Sequence, residues 1–201
     1  MKLAELTNEK WKAKYTEVHS RENPQMIGNM VMLHIWDIQE LCHKHKPELV
    51  MDYGCGKGFA YHGKKVHKMW ETEMFLYDIG IPKYRRLPTE EEAEKIGGII
   101  SCDVLEHIPE EFIEATFEYW YSLKPKFVYA TIAQYPAVKK LDDGSNAHCT
   151  IKPASWWEER LYKYMNCDTT ILYYPTGNHY IKNNYIIRSA NEKESKEETQ
   201  V

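Results

Sequence analysis

Residues 49–58, LVMDYGCGKG, join an apolar run to an acidic residue and a glycine-rich turn. The run has the composition of a buried strand, and Gly54, Gly56 and Gly58 follow it at spacings of two residues. Glycine is required where the backbone adopts positive φ, or where a side chain would collide with a ligand. Three glycines within five residues exceed what an ordinary turn needs. The pattern therefore predicts a strand, a loop and a helix that bind a small molecule.

The spacing of these glycines argues against two kinds of phosphate-binding loop. A dinucleotide-binding fold uses G-x-G-x-x-G, which would require a glycine where this chain has Phe59. A nucleoside-triphosphate loop uses G-x-x-x-x-G-K-[ST], but here Gly58 is followed by Phe59 and Ala60. A glycine-rich turn without any ligand stays open as the purely structural alternative.

Length and composition set the domain organisation. A chain of 201 residues is sufficient for one well-buried core and too short for two domains of typical size. We therefore expect a single domain over residues 1–188, with two leading helices within residues 1–46. The charged tail, residues 189–201, is expected to be disordered. The net charge of -4 provides no general basic surface for nucleic acid.

Cysteine content and hydropathy indicate the compartment. The cysteines are scattered and form no C-x-x-C pair: Cys42, Cys55, Cys102, Cys149 and Cys167. They predict neither a disulfide framework nor a zinc site, and a reducing, cytoplasmic setting fits them. No apolar run of about 18 residues occurs, so we expect no membrane partner. The sequence does not specify an oligomeric state.

Strand-like and helix-like patterns alternate along most of the chain. This alternation predicts an α/β fold, a three-layer, Rossmann-like, mostly parallel sheet with helices on both faces and a C-terminal antiparallel strand. A polar loop over residues 139–150 is expected to lie over the binding site. The predicted strands cover residues 49–52, 74–78, 98–104, 127–132, 169–174 and 180–188, and the predicted helices residues 3–19, 24–46, 60–70, 109–123 and 153–165.

In such a sheet the ligand binds at the C-terminal ends of the strands, and the polar motifs of this chain fall there. Asp52 and the glycines follow one strand, Asp78 ends the next, and residues 102–109, CDVLEHIP, follow a third. Together these motifs resemble the class I S-adenosylmethionine-dependent methyltransferases, in particular the branch with a D-V-L-E-H-I-P signature. The resemblance extends from about Val50 to Arg188.

The resemblance implies an enzyme that binds S-adenosylmethionine and transfers its methyl group. The chain lacks the N-P-P-Y type motif of nucleic-acid amino methylation and the Pro-Cys nucleophile of cytosine methylation. A small-molecule acceptor is therefore favoured, while a nucleic-acid or protein acceptor stays open. The alternative is a module that binds S-adenosylmethionine or S-adenosylhomocysteine without transferring a methyl group.

Mapped onto this chain, the family motifs assign roles to the strand ends. Asp78 would accept hydrogen bonds from both ribose hydroxyls, or else is a solvated strand-end acid. Asp52 would orient the loop, bind toward the amino group of the ligand, or do both. The predicted cofactor-binding residues are Asp52, Gly54, Cys55, Gly56, Gly58, Asp78, Ile79, Cys102, Asp103 and Val104.

The segment between Asp78 and the next strand departs from the family pattern. Only about 20 residues are present where the family fits a helix, a strand and an acid that contacts adenine. We therefore expect a sheet shortened by one strand between its second and fourth strands. Tyr77, Ile79 and Leu87 are the candidates for an adenine wall.

Several side chains are candidates for the acceptor side of the pocket. His107 and His148 are the candidate catalytic bases, each with a structural role as its alternative. The leading helices cover the cofactor in this family, so Trp11, Tyr15 and His19, together with Tyr135, would form a lid or acceptor pocket; as core residues they are equally plausible.

No metal site is predicted. His43 and His45 lie two residues apart on a helix and point in different directions, so they do not form a site beside Cys42. Metal-assisted O-methylation through Asp142, Asp143 and Asn146 is a weaker hypothesis.

Overall fold

The computed structural model describes residues 9–20, 29–175 and 185–188, which form an α/β, Rossmann-like fold around one twisted sheet. Five strands run parallel in the order β2-β1-β3-β4-β5, and a short sixth strand, β6, pairs antiparallel with β5 at the edge. The strands are β1 Leu49–Tyr53, β2 Glu73–Tyr77, β3 Ile96–Cys102, β4 Phe127–Ala133, β5 Asp168–Tyr174 and β6 Tyr185–Arg188.

Helices connect the parallel strands. The chain enters α2 through a 3-10 turn, Met30–His34, and leaves it at Lys46, whose positive φ of 45° ends the helix. The α-helices are α1 Glu9–Ser20, α2 Ile35–His45, α3 Phe59–His62, α4 Glu90–Lys95, α5 Glu110–Ser122 and α6 Ala154–Tyr164.

The sheet is buried on both faces because successive strand residues point to opposite sides. On one face Met51 and Ile99 pack with α5 and α6, whose Trp120 and Trp157 are fully buried. On the other face the neighbouring strand residues pack against α2, α3 and Trp70. Strands β3 and β4 are buried at every position, which explains their continuous apolar composition.

The direction of the connections reverses at β1. This strand lies between β2 and β3, so the loops after β1 and after β3 leave the sheet toward opposite faces. A crevice therefore opens between the two loops, beyond the C-terminal ends of the strands. The residues at these ends are those that the sequence predicts as ligand-binding.

Two predicted helices are wrong in extent. Within the helix predicted over residues 24–46, Asn29 is not helical, Met30–His34 forms a 3-10 turn, and the α-helix begins only at Ile35.

Residues 60–70 were expected to form a single helix, but α3 ends at His62 and a separate 3-10 turn covers Val66–Lys68. Gly63 follows α3, and Lys65 adopts a positive φ of 54°, which cannot continue a right-handed helix. The apolar residues whose spacing suggested one helix are instead divided between the short helix α3 and the 3-10 turn.

The segment after β2 contains no strand. It passes through a 3-10 turn at Pro82–Tyr84 and the capping box of α4 at Thr89, then enters β3 directly. As a result, β2 is the edge of the sheet within the described part of the chain.

Some sequence predictions lie outside the described residues. They are the beginning of the first helix before Glu9, the start of the second helix at Asn23 and Pro24, the strand residues before Tyr185, and the tail at 189–201. Across residues 9–20, 29–175 and 185–188, none of the helices combines the length and apolar character that crossing a membrane requires.

Candidate functional site

A cavity of about 470 Å³ lies in the crevice at the C-terminal ends of β1, β2 and β3. Its position at the reversal of strand order is where open α/β sheets bind their ligands. It is lined by ten of the residues predicted from the sequence: Asp52, Gly54, Gly56, Asp78, Ile79, Cys102, Asp103, Val104, His107 and His148. Cys55 and Gly58 belong to the same turn but do not line the cavity.

The glycine turn adopts left-handed conformations at all three glycines, with φ of 97° at Gly54, 55° at Gly56 and 71° at Gly58. A Cβ on Gly54 would lie 2.3 Å from a methyl carbon of Val104, so this glycine lets the loops after β1 and β3 touch. At Gly58 a Cβ would lie 2.9 Å from the Tyr84 hydroxyl oxygen. Two of the glycines are therefore needed for close packing within the protein.

The backbone N–H groups of the turn are already bonded within the protein. The Gly54 and Cys55 amides donate to the Tyr77 carbonyl at 2.8 and 3.0 Å. The Gly56 amide donates to Asp78 Oδ2 at 2.8 Å. A phosphate-binding loop presents such N–H groups to its ligand. The geometry of this turn therefore disfavours a phosphate ligand.

Asp78 fastens the turn to the end of β2. Its other carboxylate oxygen, Oδ1, accepts a hydrogen bond from the Gly80 amide at 2.8 Å and lies 3.4 Å from His19 Nε2. The side chain is buried, in contrast to the solvated acid that sequence analysis kept as its alternative. A carboxylate has about four acceptor positions, which leaves capacity for a ligand hydroxyl.

Asp52 is the second buried acid of the turn. The Tyr61 hydroxyl donates to its Oδ2 at 2.6 Å, so Asp52 links the end of β1 to α3. Burial is the main cause that raises the pKa of Asp52 to about 7, and the hydrogen bond from Tyr61 partly opposes it. We refer to Asp52, Gly54, Gly56 and Asp78 together as the glycine wall of the cavity.

Helix α1 covers the cavity with the residues predicted for a lid. Trp11, Tyr15 and His19 line it, as does Tyr135 from the loop after β4. The Tyr15 hydroxyl donates to the His107 carbonyl at 3.1 Å. Arg85 joins α1 to the loop after β2, because it donates to the Thr16 hydroxyl at 2.7 Å and to a loop carbonyl.

Of the three residues predicted to form an adenine wall, two line the cavity and one does not. Tyr77 and Ile79 line the cavity, and the Tyr77 ring stacks on Tyr53 with centroids 4.8 Å apart. Leu87 does not line the cavity and packs against the hydrophobic core below the sheet. Leu87 therefore forms no part of a wall of this cavity, in contrast to the prediction.

The turn after β3 and the loop after β4 bring two acids and two histidines together at the cavity. Ligand atoms of Asp103, Glu106 and His148 all lie within 4.8 Å of one another. The rings of His107 and His148 meet edge to face, with centroids 4.7 Å apart. We refer to these four residues as the acid–histidine wall.

Burial perturbs the titration of this wall. It raises the pKa of Glu106 well above its ordinary value, and the neighbouring Asp103 carboxylate acts in the same direction. Burial also lowers the pKa of His107 to about 4, so this imidazole is neutral at pH 7. A neutral imidazole can accept a proton or bind an electron-deficient group.

Glu106 is the site residue that sequence reasoning missed. It stands in the D-V-L-E-H-I-P motif but received no role, because a charged residue within an apolar segment has no partner visible in the sequence. Its position three residues after Asp103 and directly before His107 was the available signal. The 3-10 turn Leu105–His107 folds that spacing into one cluster.

The residues of the other two metal hypotheses make contacts elsewhere in the protein. Asn146 uses its side chain to bond both backbone groups of Ala137 at 2.9 Å, and Asp143 bonds Lys14 and Ser145. His43 bonds a backbone carbonyl and His45 bonds Asp168. These contacts are made within the protein.

S-adenosylmethionine, the cofactor that the family resemblance implies, is cationic at its sulfonium, and the cavity is lined by the acidic side chains of Asp52, Asp78 and Asp103, which are complementary to that charge. Aromatic rings of Trp11 and Tyr77 also line it and are suited to a purine. Comparison of the chain with protein-family models, with curated proteins and with solved structures found no match, so the family resemblance rests on the motifs and on this cavity.

Proposed function

We propose that this protein is a cytoplasmic S-adenosylmethionine-dependent methyltransferase that acts on a small-molecule acceptor. The observation that carries the proposal is the acid-lined cavity at the reversal of strand order, closed on one side by a glycine turn whose N–H groups are already bonded. Such a site favours a cationic ligand without phosphate. S-adenosylmethionine supplies, when bound, a methyl group on a sulfonium that is already a good leaving group.

The protein's own contribution is positioning and exclusion of water. Asp78 would accept hydrogen bonds from ribose hydroxyls while it holds the Gly56 amide. Asp52 would compensate the positive charge of the ligand amino group. Tyr15 and Trp11, on α1, cover the cavity and limit the access of water.

The two histidines define the acceptor side. His148 Nδ1 lies 2.6 Å from the Tyr135 carbonyl, so this nitrogen carries the proton and Nε2 has a free lone pair. His107 Nδ1 is held in the same way by the Ala147 carbonyl at 2.8 Å. Either Nε2 could accept a proton from a hydroxyl or amino acceptor during methyl transfer.

Calorimetry of the full chain with S-adenosylmethionine and S-adenosylhomocysteine tests the proposal. We expect micromolar affinity, and an Asp78→Ala variant should bind about 10- to 100-fold more weakly, because it loses charge-assisted hydrogen bonds. The exposed Glu91→Gln variant on α4 is the matched control and should bind like the wild type. Folded protein that binds neither compound would contradict the proposal.

The alternative function is a module that binds the cofactor or its product without turnover. The edge position of β2 favours it, because no strand beyond β2 completes a wall for the adenine within the described residues. Incubation with labelled S-adenosylmethionine and a panel of small acceptors distinguishes the two functions. Transfer of the label to any acceptor excludes the binding module, whereas tight binding with no product supports it.

A further inference from the structure

The acid–histidine wall has the composition of a cation site. Two carboxylates and one imidazole, from Asp103, Glu106 and His148, present ligand atoms within 4.8 Å of one another. Asp103 and His148 line the cavity, so an ion between them would be reachable from it. We infer that this wall binds one divalent cation of the Zn²⁺ or Mn²⁺ class at the edge of the cavity that Asp103 and His148 line.

Glu106 provides the independent observation. Its side chain is completely buried, and Oε1 accepts a hydrogen bond from the Ala133 amide at 2.8 Å. The other oxygen, Oε2, has no hydrogen-bond partner among the described residues. A buried carboxylate oxygen without a partner costs several kcal/mol, roughly, unless a cation or a proton compensates it. A metal ion at the cluster would supply that compensation.

His148 is oriented as a metal ligand is oriented. Its Nδ1 donates to the Tyr135 carbonyl at 2.6 Å, which fixes the ring and leaves Nε2 bare. Metal-bound histidines usually donate their other N–H to a carbonyl or carboxylate in this way. The His107 ring, held by the Ala147 carbonyl at 2.8 Å, offers a second imidazole beside the first.

Asp103 is held in place by its backbone. It adopts a positive φ of 62°, a conformation that non-glycine residues rarely take and that is often found at functional sites. Its amide donates to the Thr131 hydroxyl at 2.9 Å, on the neighbouring strand. The conformation turns the chain from β3 into the 3-10 turn that carries Glu106.

The donor set selects the class of ion. Ca²⁺ and Mg²⁺ prefer sites made of oxygen ligands alone, whereas imidazole with carboxylate suits Zn²⁺, Mn²⁺ and related ions. The cation would bind an oxygen of the methyl acceptor and lower its proton affinity. This role rests on the proposed methyl transfer, but the binding of the cation does not.

Electron paramagnetic resonance with Mn²⁺, on full-length protein treated with a chelator and dialysed, tests the inference without S-adenosylmethionine. We expect saturable loss of the free Mn²⁺ signal at one ion per chain, with Zn²⁺ competing. Glu106→Gln and His148→Gln should each weaken binding at least about tenfold, since each removes a ligand. Asp142→Asn, on the exposed loop, is the control and should leave binding unchanged.

Each outcome decides the inference. Folded wild-type protein without saturable Mn²⁺ or Zn²⁺ binding would overturn it. Wild-type affinity in both Glu106→Gln and His148→Gln would overturn it as well. Circular dichroism of the variants identifies any loss of folding; if one variant fails to fold, the other still decides the result. A failure of S-adenosylmethionine binding in the same preparation would be a separate result, because Mn²⁺ is added alone.

Discussion

The two walls of the cavity differ in how their buried acids are compensated. In the glycine wall, Asp78 accepts two backbone amides and Asp52 accepts the Tyr61 hydroxyl. In the acid–histidine wall, Glu106 accepts one amide and leaves one buried oxygen without a partner among the described residues. The buried acids of the glycine wall are thus compensated by hydrogen bonds from the protein, whereas the acid–histidine wall leaves one buried carboxylate oxygen uncompensated among the described residues.

This difference predicts that one wall mainly stabilises the fold and the other mainly binds ligands or ions. The glycine wall holds three strand ends in register and gives the cavity its form, so we expect its variants to lose folding stability first. In the acid–histidine wall, Glu106 binds the Ala133 amide with one oxygen and leaves the other without a partner among the described residues, so we expect variants of this wall to affect ligands and ions more than folding. Substitutions on the two walls can therefore be compared directly.

The largest expected effect is at the contact between the glycine wall and the loop after β3. Gly54→Ala places a Cβ 2.3 Å from a Val104 methyl carbon at a φ of 97°, and we expect a loss of roughly 3 kcal/mol in the free energy of unfolding. Gly144→Ala is a matched control, since φ there is 79° but no atom lies within 4 Å of the new Cβ. It should cost only about 1 kcal/mol of conformational strain. Urea unfolding measures both.

A double variant separates the clash from the strain. Val104→Ala should restore part of the stability lost in Gly54→Ala, because it removes the methyl groups that collide, and the double-mutant cycle gives the size of the coupling. Strictly additive effects would contradict direct packing between the loops after β1 and β3.

The next effect compares the same chemical change on the two walls. Asp78→Asn turns one of two amide-accepting oxygens into a donor, so we expect it to cost about 2 kcal/mol in unfolding free energy. Glu106→Gln can keep its bond from the Ala133 amide, and we expect it to cost less than about 1 kcal/mol. Urea unfolding without added metal measures the pair. Equal costs would contradict the difference between the walls.

The smallest effect is a pH dependence within the glycine wall. Burial raises the pKa of Asp52 from 3.8 to about 7, so the folded protein keeps a proton that the unfolded chain releases. The resulting stability is present in full below the unfolded pKa and is lost as the pH rises through 7. Compared with Asp52→Asn, the wild type should lose about 1–2 kcal/mol between about pH 6 and pH 8.

Urea unfolding at a series of pH values measures this loss. The Asp52→Asn variant carries no titrating group at that position, so the difference between the two proteins isolates the carboxyl. Stability curves that stay parallel across this range would show that Asp52 ionises normally in the folded protein.

Sequence patterns predicted the strands well because the central parallel strands β3 and β4 are buried along their whole length and are mostly apolar. The predicted strands that end at Asp52 and Asp78 end within one residue of β1 and β2, whereas the strand predicted over residues 98–104 ends two residues earlier, at Cys102. Asp52, Asp78 and Asp103, at these three strand ends, line one cavity. Helix extent was less predictable: the periodicity of residues 60–70 hid the break after His62. Backbone conformations such as the positive φ of Lys65 leave no hydrophobic signal.

For the candidate site, too, some features follow from the sequence and others only from the tertiary structure. The sequence alone determined the order of strands and helices, the glycine turn and the acids at strand ends, because local composition and spacing encode these features. Only the tertiary structure decided which groups compensate one another: that the turn's amides bond Tyr77 and Asp78, and that Glu106 meets Asp103 and His148. Burial and proximity between segments far apart in the chain set the free energy of a buried charge, and a linear sequence specifies neither.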